Sequence, residues 1–216
     1  KKVIIKARRK IIPLWFRKKW SYWLERINKI SNQIHESIKA KNLILQDKST
    51  LKNIDKIISE IIKCVKKGNK IILAGNGGSA ADAQHMAAEF VSKFYKDRPS
   101  IEAIALTTDT SIITSIGNDY DFSNIFSRQI ESIGKNGDIF IAISTSGNSE
   151  NIINALKQAQ EKGIITVGLS GESGGKMKSL CDYCILVPSS DTPRIQESHL
   201  LLEHIFCEFV EEELFK

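Results

Sequence analysis

Ile71-Ile72-Leu73-Ala74-Gly75-Asn76-Gly77-Gly78-Ser79 decides the fold. An apolar run of strand character stops at a glycine-rich turn, and a helical pattern follows at once. The same arrangement returns at Ile139-Phe140-Ile141-Ala142-Ile143, which runs into Ser144-Thr145-Ser146-Gly147-Asn148-Ser149. A strand that ends in such a turn and reopens as a helix aims backbone N–H groups, hydroxyls and the positive helix end at one spot. That is a physical recipe for holding a phosphate or a polyhydroxylated anion. No lysine sits in the second turn, which excludes a nucleotide P-loop with its Gly-Lys-Ser/Thr signature.

Outward from these turns, strand-like runs fall at 70–74, 101–107, 139–144, 164–169 and 184–187. Helical patterns lie between most of them, at 79–95, 124–133, 149–162 and 174–180, and a last helix covers 194–214 with Thr192 as N-cap and Pro193 in the first turn. Ahead of the first strand, Leu51, Ile54, Ile57, Ile58, Ile61, Ile62 and Val65 recur at helical spacing up to Gly68, giving one or two helices within 34–67. Strand and helix alternating in this way predict an α/β fold: a three-layer, doubly wound parallel sheet of Rossmann-like type with an N-terminal helical segment.

The 216 residues suffice for one well-buried domain with length to spare, and 42% apolar with 26% charged content is ordinary for a soluble protein. No apolar run approaches the roughly 18–20 residues of a membrane span, and no secretory pattern follows the basic start. Four cysteines, Cys64, Cys181, Cys184 and Cys207, are sparse, so reduced thiols in a cytoplasmic protein are the expectation. Cys181 and Cys184 form a single Cys-x-x-Cys with no second pair, which argues for structural thiols over zinc or redox use.

The net charge of +6 is unevenly placed. Residues 1–33 hold eleven Lys and Arg against Glu25 alone, and all three tryptophans, Trp15, Trp20 and Trp23, while the remainder is at −4. Charge therefore gives nucleic-acid binding by the main body no support. Residues 1–33 are read as a basic, poorly patterned extension interrupted by Pro13, separate from a domain over 34–216. A membrane-surface arm is the functional reading of that extension. One without catalytic consequence is the plainer reading, and the one expected.

Three separated stretches together carry a resemblance. Gly75-Asn76-Gly77-Gly78-Ser79-Ala80-Ala81-Asp82-Ala83-Gln84-His85-Met86-Ala87-Ala88-Glu89-Phe90, then Ser144 to Ser149, then Thr192-Pro193-Arg194-Ile195-Gln196-Glu197-Ser198-His199 resemble the sugar isomerase (SIS) domain family, and within it the phosphoheptose isomerases. The resemblance covers about residues 34–216. It implies interconversion of D-sedoheptulose 7-phosphate and D-glycero-D-manno-heptose 7-phosphate, feeding activated heptose into bacterial lipopolysaccharide or capsule. It also implies a homotetramer, with one Zn2+ per subunit. Carried onto this sequence, Asn76, Gly77 and Gly78 fall on a first substrate-contacting turn, Asn118 and Asp119 on a second contact, and Ser144, Thr145, Ser146 and Ser149 on the phosphate loop. His85, Glu89, Gln196 and His204 match the metal-binding set, with Glu89 and Gln196 also touching substrate and Glu89 and His204 catalytic.

The residues argue partly for themselves. Moving a carbonyl between C2 and C1 needs a base, an acid and stabilisation of the enediolate, and Glu89 with His204 supplies a carboxylate and an imidazole. His85 and Glu89 are four apart on a helix and share a face. Gln196 and His204 are eight apart, roughly 12 Å of rise and about 80° of turn. They meet one ion only if both are fully extended. Otherwise Gln196 serves from another direction or a neighbouring subunit. Two His, a Glu and a Gln suit zinc among other divalent ions. His199 is read as a packed or surface histidine. A different class of reading, a non-catalytic SIS sugar-phosphate-binding protein or a DNA-replication partner, is disfavoured by the presence of Glu89 and His204.

Overall fold

The computed structural model describes the backbone from Leu14 to Lys216, with side chains from Tyr22 onward. The chain divides after Ile38 into two units. The first contains most of helix α1 (Leu14–Gln46). This corrects the expectation that everything before residue 34 is poorly patterned: the backbone is helical from Leu14, whereas Pro13 and the residues before it lie outside the described part. Dense basic charge hid the pattern, for Trp23, Ile27, Ile30, Ile34 and Ile38 recur every three or four residues.

In the second unit α2 (Lys48–Lys66) begins at Asp47, whose carboxylate accepts from the Ser49 N–H. There follow β1 (Ile71–Gly75), α3 (Gly78–Val91), β2 (Ala103–Ala105), α4 (Thr110–Asp119), α5 (Ser127–Ile133), β3 (Ile139–Ile143), α6 (Glu150–Glu161), β4 (Ile165–Gly171), β5 (Tyr183–Val187) and α7 (Thr192–Leu214). All strand pairs are parallel, in the order β2-β1-β3-β4-β5. Alternate residues of the central strands feed two cores, as a sheet covered on both faces requires. Ile71 and Leu73 of β1 with Ile139 and Ile141 of β3 pack beneath α2, α3 and α7 beside Ile57, Met86 and Phe206. Ile72, Ala74, Phe140 and Ala142 face the other way, onto Ile130, Ile152 and Leu156.

Several local readings need correction. The last helix is capped one residue earlier than expected, by Asp191, so Thr192 is its first residue and Pro193 sits in its first turn, where a missing N–H costs nothing. α4 was not anticipated. Its Thr- and Ser-rich sequence has weak helix propensity, but Asp109 caps it by accepting from the Ile112 N–H at 2.9 Å. The expected helix at 174–180 is only a 3-10 turn over Lys176–Ser179.

This strand order fixes where a ligand sits. From β1 the chain passes by α3 to β2 on one side, then returns to β3 on the other. β1 and β3 are therefore neighbours at a topological switch point, with Gly75 opposite Ile143. In doubly wound sheets ligands bind in the crevice beyond the carboxyl ends of such strands. Both turns quoted above lie there.

Candidate functional site

A reciprocal pair of amides joins the two turns. Asn76 Nδ2 donates to Asn151 Oδ1 at 2.9 Å, and Asn151 Nδ2 donates to Asn76 Oδ1 at 2.8 Å. Asn151 lies in the first turn of α6 and is buried. The glycine turn after β1 is thus tied to the helix that opens the serine turn after β3. Sequence reasoning missed Asn151, and its only signal was a polar residue on the otherwise apolar face of α6.

In the serine turn, the Ser144 and Ser149 hydroxyls lie 3.2 Å apart. Ser149 is the N-cap of α6, yet its side chain makes no capping bond, so the hydroxyl faces the loop. Ser146 Oγ accepts from the Asn148 N–H. Gly147 has φ +65°, and a Cβ there would lie 2.1 Å from the Gly174 carbonyl oxygen, so only glycine fits. Thr145, Ser146 and Asn148 line a cleft of about 310 Å³ with Glu172, Ser189 and Thr192. Neutral hydroxyls and N–H groups at a helix start suit a phosphate dianion.

The residues expected to do acid–base work lie between α3 and α7. His85 Nε2 and His204 Nε2 are 3.0 Å apart, with the rings at 73°. Glu89 Oε1 is 3.6 Å from His85 Nε2. Gln196 does not join them. Its Nε2 donates to Asp82 Oδ1 at 3.2 Å, and a Cβ on Gly78 would lie 2.4 Å from that nitrogen. The eight-residue separation on α7 is thus met at two levels of α3, Gln196 against Gly78 and Asp82, and His204 against His85. Among the described residues no three His, Cys, Asp or Glu side chains are grouped to hold a metal ion. The donor chemistry still fits a divalent cation, because two imidazole nitrogens aimed at each other beside a carboxylate need a proton or a cation between them.

Behind these side chains lies a buried polar layer that the sequence did not reveal. Asp82 Oδ2, both Glu203 carboxyl oxygens and His199 Nδ1 have no hydrogen-bond partner. Burial, then the Asp82 charge, pushes Glu203 up to about 8, so this carboxyl is neutral at pH 7. Burial also raises Asp82, against the opposing effects of Gln196 and His85. His199 is fully buried, shares a 3.2 Å contact with the Ser170 carbonyl and is pushed down to about 4, a neutral packed histidine as expected.

A second buried feature braces His204. Phe94, in the segment following α3, packs with its ring 5.8 Å from that of His204 and tilted by 40°. Glu211 of α7 holds that segment, accepting from the N–H groups of Phe94, Tyr95 and Lys96 and from Arg98 Nε at 2.9 Å. Burial alone would raise Glu211, but these donors hold it at about 2. Asn118 and Asp119, at the end of α4, stay exposed and bond to each other at 2.8 Å. Among the described residues no hydrogen bond links them to either turn.

A family model described as SIS domain matches residues 38–171. The chain is 59% identical over 187 residues to the phosphoheptose isomerase of Aneurinibacillus thermoaerophilus, spanning 87% of this chain and 94% of that one. It is 58% identical over 193 residues to phosphoheptose isomerase 2 of Campylobacter jejuni, spanning 89% and 96%. A solved phosphoheptose isomerase from Neisseria gonorrhoeae matches with a TM-score of 0.81 at 39% identity, covering 86% of this chain and 98% of that one. One from Francisella tularensis matches at 0.83 with 34% identity, covering 87% and 98%.

Proposed function

The chain belongs to the SIS domain family, and from its likeness to the phosphoheptose isomerases we propose that it interconverts D-sedoheptulose 7-phosphate and D-glycero-D-manno-heptose 7-phosphate. The observation that carries this reading is the convergence of Glu89, His85 and His204 between two helices, α3 of which opens from the glycine turn at the switch point. A carboxylate and imidazoles beside a phosphate-type loop are what an aldose–ketose isomerase needs.

In the proposed mechanism the sugar phosphate is anchored by Ser144, Thr145, Ser146 and Ser149, which leaves the carbonyl end toward α3 and α7. Asn76, Gly77 and Gly78 approach the sugar from the neighbouring strand end, with Asn76 held by Asn151. Glu89 removes the proton from the carbon beside the carbonyl. His204 exchanges a proton with the oxygens of the enediolate, and Glu89 returns the first proton to the other carbon. General acid–base work of this kind is worth about 10²–10⁴ in rate for each group. Phe94 covers one side of the His204 ring, and the buried Glu203 is its neighbour on α7. Asn118 and Asp119 would add contacts to the sugar hydroxyls.

The same proposal includes one Zn2+ per subunit. His85, Glu89 and His204 would hold it, with Gln196 joining only on leaving Asp82. When bound, zinc supplies Lewis-acid stabilisation of negative charge on oxygen. A cytoplasmic homotetramer that feeds lipopolysaccharide or capsule heptose completes the proposal. Among the described residues no helix is long and apolar enough to cross a membrane.

The test is direct. Purified protein should consume sedoheptulose 7-phosphate far faster than fructose 6-phosphate. Equal rates, or turnover of neither, would remove this assignment.

A further inference from the structure

β4 carries a glycine, Gly168, in the middle of a buried strand, where a side chain would ordinarily fill the core. Gly168 pairs in register with Cys184 of β5, the edge strand. A Cβ there would lie 2.8 Å from Cys181 Sγ, 3.1 Å from Cys184 Sγ and 2.7 Å from Met177 Cε. The missing side chain thus leaves one hollow that three sulfur-containing side chains share. Both thiols are free and half-buried, and the Cys181 S–H donates to the Cys184 sulfur. In sequence a single Cys-x-x-Cys argues for structural thiols; the fold adds that the two sulfurs meet each other.

The turn between them is held firmly. Asp182 accepts from the Thr166 N–H at 2.8 Å and from the Thr166 hydroxyl at 2.9 Å, and the Leu180 carbonyl accepts from Gln160 Nε2 at 2.9 Å. The shared hydrogen bond makes the thiols unequal. It lowers Cys184, against the effect of burial and with the help of the Lys178 charge, and it raises Cys181, where burial acts in the same direction. Cys184 is therefore the readier thiolate. Met177 ties this pair to the serine turn. Its side chain is fully buried against the two sulfurs, and its N–H donates to the Gly147 carbonyl at 3.0 Å. Beside it, the Lys176 N–H donates to Asn148 Oδ1 at 3.1 Å.

We propose that Cys181 and Cys184 are a redox pair: hydrogen peroxide closes them to a disulfide, which disturbs Met177 and loosens the hold of the serine turn on phosphate. In the first step the Cys184 sulfur attacks the peroxide. An S–O bond forms, the O–O bond breaks, and the departing oxygen leaves as water with the thiol proton. The Cys181 sulfur then attacks that of Cys184, so the S–S bond forms, the S–O bond breaks and a second water leaves with the remaining thiol proton. Two thiols lose two electrons and two protons, and one peroxide becomes two waters. A dithiol reductant reverses the closure. Bringing the sulfurs to bonding distance repacks the hollow beneath Met177, and donors moved from a preorganised site hold their ligand less well.

The full chain is treated with hydrogen peroxide, its remaining thiols are alkylated in denaturant, and its peptides are mapped by mass. A Cys181–Cys184 link should form and disappear with dithiothreitol. Cys64 and Cys207, each 2% exposed, are internal controls that should be alkylated, since burial pushes both thiols up, Cys64 to about 12. In Cys181→Ser a sulfenic-acid probe should mark Cys184, whereas in Cys184→Ser it should leave Cys181 unmarked. Amide exchange within 144–149 and 174–180 should quicken in the oxidised protein, and KM for sedoheptulose 7-phosphate should rise about threefold or more with kcat changed less. Cys184→Ala cannot close the link and should show neither response, which separates the disulfide from oxidation of Met177. Absence of the link overturns the proposal. So does a link that leaves exchange and KM unchanged, or a Cys184→Ala variant that responds as the parent does. The KM measurement rests on the isomerase reading. A reduced protein that turns nothing over would count against that reading alone, while the peptide map and the exchange still decide this one.

Discussion

Replacing Asn151 by alanine tests whether the two turns work as one site. Asn151 is only 3% exposed and makes two hydrogen bonds to Asn76, at 2.9 and 2.8 Å. Each such bond contributes about 0.5–1.5 kcal/mol net, and the substitution also strands the part-buried Asn76 amide. The expected loss is therefore about 2–3 kcal/mol of folding stability, read as a lower urea midpoint with an unchanged slope. Asn151→Asp keeps one acceptor but buries a carboxylate and sets an oxygen against Asn76 Oδ1, so it should destabilise at least as much as alanine. A double-mutant cycle of Asn76→Ala with Asn151→Ala should show coupling of about 1–2 kcal/mol. In the isomerase assay the single variant should raise KM more than it lowers kcat, because the glycine turn loses its tie to α6 while Glu89 and His204 stay in place. A cycle in which the two losses simply add would refute the idea that the turns are mechanically linked.

Four further outcomes are expected. Alanine at Ser144, Thr145 and Ser149 together should weaken sugar-phosphate binding by about 1.5–3 kcal/mol for each lost bond to a charged group, and unchanged affinity by calorimetry would undo the phosphate-loop assignment. Glu89→Gln should cut kcat by roughly 10²–10⁴ with substrate still bound, so near-parental turnover would remove Glu89 as the base. Bound zinc should raise the melting temperature, with chelation lowering it and resupply restoring it, and metal analysis that finds none at saturating supply would leave the acid–base roles alone. Glu211→Gln should cost about 3–5 kcal/mol by stranding buried Arg98. Since Glu211 is held at about 2, below its ordinary 4.5, its contribution is full above about pH 4.5 and fades as pH falls toward 2. The gap between parent and variant melting temperatures should close over that range, and a constant gap would contradict the ion pair's role.

What the sequence made legible was local. The runs at Ile71 and Ile139 read as strands because each is a continuous apolar run closed by a turn, and both became neighbours in the sheet. The serine turn was legible as a turn for the same reason: its hydroxyls fall within six residues, 144–149, at the end of an apolar run. α1 was misread because charge density drew attention from a spacing that was present all along, and α4 because Thr and Ser hide a helix whose clearest signal is one capping aspartate.

The layer behind the site was hidden for a different reason. Asn76 meets Asn151 across 75 positions, Gln196 meets Asp82 across 114 and Arg98 meets Glu211 across 113. No periodicity relates such partners, and each side chain by itself resembles a solvated polar residue. Packing of α3 and of the segment after it against α7 converts Asp82, Glu203 and Glu211 from surface carboxylates into buried ones. That packing also separates their protonation: Glu211, given four donors, stays charged, whereas Glu203, given none, does not. The chain thus presents one surface of exposed and half-buried hydrogen-bonding groups, at the two turns, and one buried polar layer, beneath His204. The division suits an isomerase, because a phosphate is best held by many oriented donors, while the helices that carry the acid and the base are fixed by the layer packed beneath them.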